Sequence, residues 1–507
     1  MTFRRILTGA AVALALAAAT AAPGQAQTLR LALAGDPDAL DPTTGRSLYG
    51  RIVFAALCDK LFDTDANLNI VPQLATGYEW SDGNTTLTIR LRAGVRFHDG
   101  AALDAEAVKL SLERHLTFQG SQRRSEISVV RAIEIVDPLT VRLRLSAPFV
   151  PLLAQFTDRA GMIMSPQAIQ GGGANFGTRP VCAGPFRFVE RVAQDRIVLE
   201  RFADYWNKDA IHLERVVYRP MPDSTVRLTN LQGGGVDFVE TVAASDIPTV
   251  RRNARLSLVT TSSLGFRGIQ FNVAHGEAAA ASPMSNPRIR EAFDLSLDRD
   301  VLNQVAFGGA YIADRHWAPP GTPYHVEALR AQPRDVARAR AILREVGQPN
   351  PSFRLMVQNA ADWLQAAEVI QSMAREAGFD VRIQATEFAT SLAQSNQGRF
   401  DAFLTGWSGR PDPDGNIYAF LRTGGTNNDG RYSNATVDRL LDEARTVSDL
   451  AARQRLYGEA SAAIAADRPW IFLYHVANVH AFTTRITGFT PHPDGLVRLQ
   501  GVRMAAN

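Results

Sequence analysis

Asp401-Ala-Phe-Leu-Thr-Gly-Trp-Ser-Gly-Arg410-Pro-Asp-Pro-Asp-Gly415 is the stretch whose reading decides the fold. Asp401 to Thr405 is a short apolar run bounded by turn signals, as a buried strand requires, and the Gly/Pro/Asp-rich segment after Trp407 cannot extend it. A Trp, an Arg and two Asp are therefore delivered at the carboxyl end of a strand. In open α/β sheets ligands bind in the crevice beyond those ends. Trp407, Arg410, Asp412 and Asp414 are the first candidate binding residues. The competing reading makes Arg410 to Gly415 a solvated turn, with Asp414 capping a helix over Asn416 to Leu421.

Outward from that stretch, the pattern alternates. Strand Phe353 to Gln358, helix Ala361 to Ala377, strand Phe379 to Thr386 and helix Thr390 to Gln397 precede it. Helices near 434–446 and 449–466 follow. Such alternation predicts βαβ units and a parallel sheet. This second lobe opens near Leu264 to Asn272, whose strand Ile269 to Asn272 ends on a further candidate, Asn272. Helices over Asn286 to Phe307 follow it.

The first half differs. Thr28 to Leu33 alternates as a strand, and a helix is expected over Leu48 to Leu57, with Ser47 and Tyr49 at its start as cleft candidates or surface caps. Strands at Leu87 to Leu91, Arg131 to Val136 and Thr140 to Leu145, with a helix over Asp104 to Arg114, suggest a small α+β unit at 65–182 inserted into a larger domain. Strands at Pro185 to Val189, Arg196 to Glu200 and Val216 to Arg219 resume that domain. The expected division is 1–26 as a leader, 27–64 with 183–262 and 480–507 as a discontinuous first lobe, and 263–479 as the second. Ile471 to Tyr474 and a strand-like tail at Val497 to Val502 are read as the return to the first lobe.

The amino terminus carries Arg4 and Arg5, an Ala/Leu/Val-rich run from Ile6 to Ala22 and small residues up to Ala26, the layout of a cleaved secretory signal peptide. No cysteine follows the apolar run to take a lipid. Its removal leaves 52 basic against 51 acidic residues. That balance argues against nucleic-acid binding. The basic residues are almost all arginine, so no single Arg stands out. Roughly 480 mature residues exceed one core and imply at least two lobes. The only cysteines, Cys58 and Cys182, flank the insertion. An oxidising compartment permits them to pair, two buried thiols being the alternative.

Enzymatic motifs are missing. The nine histidines include no pair with zinc-protease spacing, and His475 and His480 fall on a strand-like segment. Gly406-Trp-Ser408-Gly409 lacks the glycine placement of a nucleophile elbow, and no phosphate-loop or dinucleotide fingerprint occurs. No metal and no cofactor are expected. An aromatic wall with an arginine fork suits a small ligand in a cleft that closes on it.

Four motifs then carry a resemblance. Phe97-His-Asp-Gly100 with the helix to Glu113-Arg114, Ala183-Gly-Pro-Phe-Arg-Phe188, Asn286-Pro-Arg-Ile-Arg-Glu-Ala292, and Gly406-Trp407 followed by Asp-Pro-Asp resemble the dipeptide/oligopeptide/nickel class of ABC-transporter solute-binding proteins (family 5) across nearly the whole mature chain. The resemblance implies an α/β, periplasmic-binding-protein-like two-lobe fold with an added α+β subdomain (class II, cluster C type). It also implies a monomeric periplasmic receptor, not an enzyme, that hands a peptide or small solute to a membrane permease served by separate ATPase subunits. An exported hydrolase, or a chaperone or signalling receptor on the same fold, are the alternatives. Peptide receptors of the class hold the ligand's amino group with an Asp after the strand's Trp, where this chain has Arg410. Their carboxylate-binding Arg has no counterpart between Leu355 and Trp363, while their aromatic before the next helix is matched by Phe388. The sign reversal implies that Arg410 faces the cleft and pairs with an acidic or opine-like ligand. Asp412 is the other candidate for an amine, or a partner for Arg410.

Overall fold

The computed structural model describes residues 27–330 and 333–505. The leader at 1–26 lies outside them. Three sheets organise the chain, and each draws its strands from the segments that the sequence groups together.

The first sheet has seven strands, ordered Leu256–Ser262, Ala477–Thr483, Phe238–Val239, Thr28–Leu33, Arg215–Pro220, Arg196–Arg201 and Phe186–Val192. Thr28–Leu33 lies at its centre, parallel to both neighbours. Strand alternation explains why it is covered on both sides. Leu29, Leu31 and Leu33 enter a core with Ile52, Phe54 and Leu57 of helix Leu48–Leu57, whereas Ala32 packs oppositely with Val236, Val239 and Val250.

The second sheet has six strands, ordered Ile312–Ala313, Trp470–His475, Phe266–Phe271, Ala402–Trp407, Ser352–Gln358 and Asp380–Thr386. Only the Ser352–Gln358 pairings are parallel, and Phe266–Phe271 runs antiparallel to both its neighbours. The sheet is therefore mixed: strands joined by helices Ala361–Ala377 and Phe388–Asn396 run parallel, and those delivered by long excursions do not. Trp470–His475 belongs here rather than to the first lobe, and Ala477–Thr483 starts the return. One residue, Val476, separates the two sheets at that point. Val497 to Val502 forms no strand; Val497, Leu499 and Val502 instead fill the first core as irregular chain.

The third sheet, ordered Ala75–Ser81, Thr86–Leu91, Thr140–Leu145 and Val130–Asp137, is wholly antiparallel. Helix Ala105–Thr117, capped by the Asp104 carboxylate on the Ala107 amide, covers one face. Cys58 and Cys182 are bonded, with Cα atoms 4.9 Å apart, where the chain leaves for this sheet and where it comes back. Beside the bond, His98 donates its amide to the Cys182 carbonyl and its Nε2 meets the Gly184 carbonyl, at 2.9 and 3.0 Å. That contact brings two of the four motifs together.

Candidate functional site

Ser352–Gln358 and Ala402–Trp407 point their carboxyl ends into a cavity enclosing about 770 Å³ of empty space, its open mouth included. A second chamber of about 810 Å³ adjoins it and shares Tyr49, Arg267, Gln358 and Trp363 as its wall. The chambers sit between the first and second sheets.

Ser47 and Tyr49 reach the cavity from the start of helix Leu48–Leu57, where Ser47 also caps that helix by accepting the Gly50 amide at 3.0 Å. Phe388 opens helix Phe388–Asn396 from the opposite side and meets the Tyr49 ring edge-on at 5.4 Å. Trp407 closes its strand against the cavity. Its indole N–H is spent on the Gly415 carbonyl at 2.9 Å, so the ring offers apolar surface rather than a donor. Trp363, Phe420 and Trp470 extend the aromatic wall. Contacts cross the cavity: Arg46 reaches Asp429 at 2.9 Å, and Gln358 reaches the Ala34 carbonyl at 3.4 Å. The lobes are thus closed on each other.

Four of the eight candidate binding residues stand elsewhere. Arg410 is turned away from the cavity: its guanidinium pairs with Asp158 and lies 4.2 Å from the centre of the Trp407 ring. Gly409, at φ 81° and packed against Leu264 too closely for any Cβ, makes the turn that sends it there. Asp412 accepts two hydrogen bonds from the Arg453 guanidinium, both at 3.0 Å, and so is not the partner of Arg410. Asp414 holds Arg445 at 2.6 and 3.0 Å and accepts from Gln155 at 2.9 Å. It stands inside helix Asp414–Leu421, where Pro413 occupies the cap position without a side-chain bond. Asn272 is a buried loop clamp, donating to the Gly398 and Phe400 carbonyls at 2.9 and 3.0 Å. In each case burial calls for a partner for the polar group, and each side chain is engaged by protein groups away from the cavity.

Arg267 was not among the candidates, yet it lines both chambers. Its Nη1 donates to the Phe266 and Trp407 carbonyls at 3.2 and 3.5 Å, and its guanidinium lies 5.3 Å from the Trp363 ring centre. Among the described residues no carboxylate forms an ion pair with it. Gly406 makes room, because a Cβ there would stand 2.5 Å from the Arg267 Cδ. A charged residue between Gly265 and Gly268 in an otherwise buried strand was the available signal, and the abundance of arginine hid it.

The second chamber adds Arg227, Glu240, Asp362 and His480. Arg227 is spent on the Met221 and Pro222 carbonyls at 2.7 and 2.8 Å. Glu240 accepts the Ala34 amide at 3.2 Å and the Thr241 hydroxyl at 2.6 Å, and burial pushes its carboxyl up. His480 is held neutral, pushed down to about 4 by burial, with Nδ1 on the Glu240 carbonyl at 2.6 Å. Asp362, in the first turn of helix Ala361–Ala377, brings a carboxylate into this chamber with Arg267.

The sequence matches the family described as bacterial extracellular solute-binding proteins, family 5, over residues 69–428. The chain belongs to that family. Family 5 members are transport components that bind and do not turn over their solute. Among its relatives is the glutathione-binding protein GsiB of Pectobacterium atrosepticum, 30% identical over 480 residues and 92% of each chain. The structure of AgaA from A. tumefaciens R10, in complex with agropinic acid, superposes with a TM-score of 0.85 at 28% identity, covering 95% of this chain and 99% of that one. The murein tripeptide binding protein MppA of Escherichia coli gives a TM-score of 0.88 at 20% identity over 95% and 99%. The expected two-lobe fold of the family 5 periplasmic binding proteins is thereby established. Among the described residues no helix is long and apolar enough to cross a membrane.

Proposed function

We propose that the chain is the exported, periplasmic receptor of an ABC importer and that its cavity takes a small peptide-like solute bearing a free carboxylate. Arg267 carries this reading. It is a guanidinium in the wall of both chambers with no carboxylate among the described residues paired to it, and an incoming carboxylate supplies that partner through a fork of two N–H donors. Asp362, across the same chamber, suits an ammonium on the solute, and the aromatic wall suits an apolar or flat portion between them. The relatives are consistent with it: one is named for glutathione and one structure holds agropinic acid, both acids. Arg267 thus replaces Arg410 as the proposed carboxylate reader. Delivery to permease subunits driven by separate ATPase subunits, and a monomeric state, belong to the same proposed reading.

Native mass spectrometry of the mature protein from the periplasm identifies the co-purified solute, and calorimetry then compares that solute with its amide. Arg267→Gln is expected to weaken the acid by about 2–5 kcal/mol while leaving the amide unchanged. Equal affinities of Arg267→Gln and the parent for every acid that binds would overturn the assignment.

A further inference from the structure

Four guanidinium groups converge behind Trp407. Arg51 comes from helix Leu48–Leu57, Arg123 and Arg159 from the segment around the third sheet, and Arg410 from the turn after Ala402–Trp407. Their exposures are 2%, 1%, 0% and 7% respectively. Two carboxylates face them. Asp158 meets Arg51 at 3.0 Å, Arg159 at 3.7 Å and Arg410. Glu126 takes Arg123 at 2.5 Å. Nearby charges cancel among themselves: Lys60 and Arg498 against Asp63 and Asp494, Arg114 against Asp41, Arg453 against Asp412, and Arg445 against Asp414. Asp59 is held by Tyr205, Trp206 and Gln73 instead of an arginine.

The cluster therefore carries more positive than negative charge even with both carboxylates ionised. Its hydrogen bonding is incomplete with an excess of donors: Asp158 Oδ2 and Glu126 Oε2 are its two buried acceptors without a hydrogen-bond donor, against four such N–H groups. Arg159 and Arg123 share the Gly45 carbonyl at 2.7 and 3.3 Å. Arg51 and Arg410 share the Ser408 hydroxyl at 2.9 and 3.4 Å. Even so, Arg123 Nε, Arg159 Nε, Arg159 Nη2 and Arg410 Nη2 are buried donors without an acceptor. Arginine keeps its proton at neutral pH, so deprotonation does not relieve the excess. Burial, then the neighbouring arginines, push Arg159 down to about 9 and Arg410 in the same direction. A buried cationic cluster with spare N–H groups is stabilised by an anion placed among them.

We propose that Arg51, Arg123, Arg159 and Arg410 form a binding site for a small inorganic anion of chloride size, separate from the solute cavity and divided from it by Ser408. The proposal does not rest on the solute reading. Near-complete burial favours a single-centre anion over a bulky one. Because Arg410 comes from one lobe and the other three arginines from the far side of the cleft, the anion binds the closed form best, and closure and anion binding favour each other.

The test uses mature protein freed of solute, melted in sodium chloride and in sodium gluconate at equal ionic strength, and crystals grown in sodium bromide. The expected results are a Tm higher in chloride by about 2 °C or more and rising with its concentration, and an anomalous bromide peak in contact with Arg159 and Arg410. Arg410→Met is expected to lose the chloride dependence; if that variant does not fold, the bromide crystals decide. Identical melts with no bromide peak overturn the proposal. Finding the acid group of a bound solute, rather than bromide, among these arginines also overturns it and assigns the cluster to the solute.

Discussion

Arg46 and Asp429 meet across the cavity at 2.9 Å, joining the loop before helix Leu48–Leu57 to the loop that follows helix Asp414–Leu421. Both side chains are largely buried, and Asp429 also accepts the Ser395 hydroxyl. The pair exists only while the lobes are closed. Asp429→Ala leaves Arg46 without its partner in the closed form and leaves it hydrated in the open one. Solute affinity is expected to fall by about 2–3 kcal/mol, with a larger radius of gyration by small-angle scattering at subsaturating solute. An unchanged affinity would show that the pair does not hold closure.

Gly406 permits Arg267 to lie across its own strand. A methyl group at this position would stand 2.5 Å from both the Arg267 Cδ and the Phe266 carbonyl oxygen. Gly406→Ala is therefore expected to displace Arg267 from the wall and to destabilise the second lobe by about 1–3 kcal/mol through overpacking. Denaturant melts read the stability loss, and calorimetry reads a weaker acid ligand. A crystal structure with Arg267 unmoved would contradict the role given to the glycine.

The Cys58–Cys182 bond closes a loop of 124 residues. In the chain-entropy description such a closure stabilises the folded state by about 4–5 kcal/mol, less any native strain. Cys58→Ala with Cys182→Ala is expected to lower stability by a comparable amount without loss of the solute cavity, since neither residue lines it. Guanidinium unfolding of the double variant and of the parent, with and without reductant, measures it.

Histidine burial sets an acid limit on stability. His98 and His480 are pushed down to about 4, and His115 and His316 to about 3, in each case chiefly by burial. The unfolded chain binds their protons from about pH 6.5, so each contributes stability above that value that is lost as pH falls toward its folded value. Asp59 acts oppositely. Burial raises it to about 7, so its contribution is full below about pH 4 and is lost as pH rises through 7. His480→Asn is expected to flatten the stability curve between pH 4 and 6.5 by up to about 1.4 kcal/mol per pH unit relative to the parent. Urea unfolding across that range tests it, and parallel curves would exclude His480 as a contributor.

Much of the site was legible in the chain. Trp407 follows an apolar run and precedes a Gly/Pro/Asp segment, so its place at a strand's carboxyl end follows from local pattern. Phe388 and Tyr49 lie where a helix begins beyond a strand or turn, and helix starts face the same crevice. Arg410, Asp412 and Asp414 share that neighbourhood in sequence but not in space. Each found a buried partner, Asp158, Arg453 or Arg445, from a segment 31 or more residues away.

Most of the strands and helices followed from the sequence alone, because hydrophobic periodicity and turn chemistry act over a few residues, whereas Val497 to Val502, read as a strand, is irregular chain. The mixed strand order, the return of the chain at Val476 and the direction of each charged side chain were decided only by tertiary structure. Which arginine faces the cavity depends on the long-range pairing of buried charges. Desolvation makes an unpaired buried charge costly, so Arg410 turns to Asp158, while Arg267, on a half-buried cavity wall among aromatic rings and carbonyls, is left for a ligand.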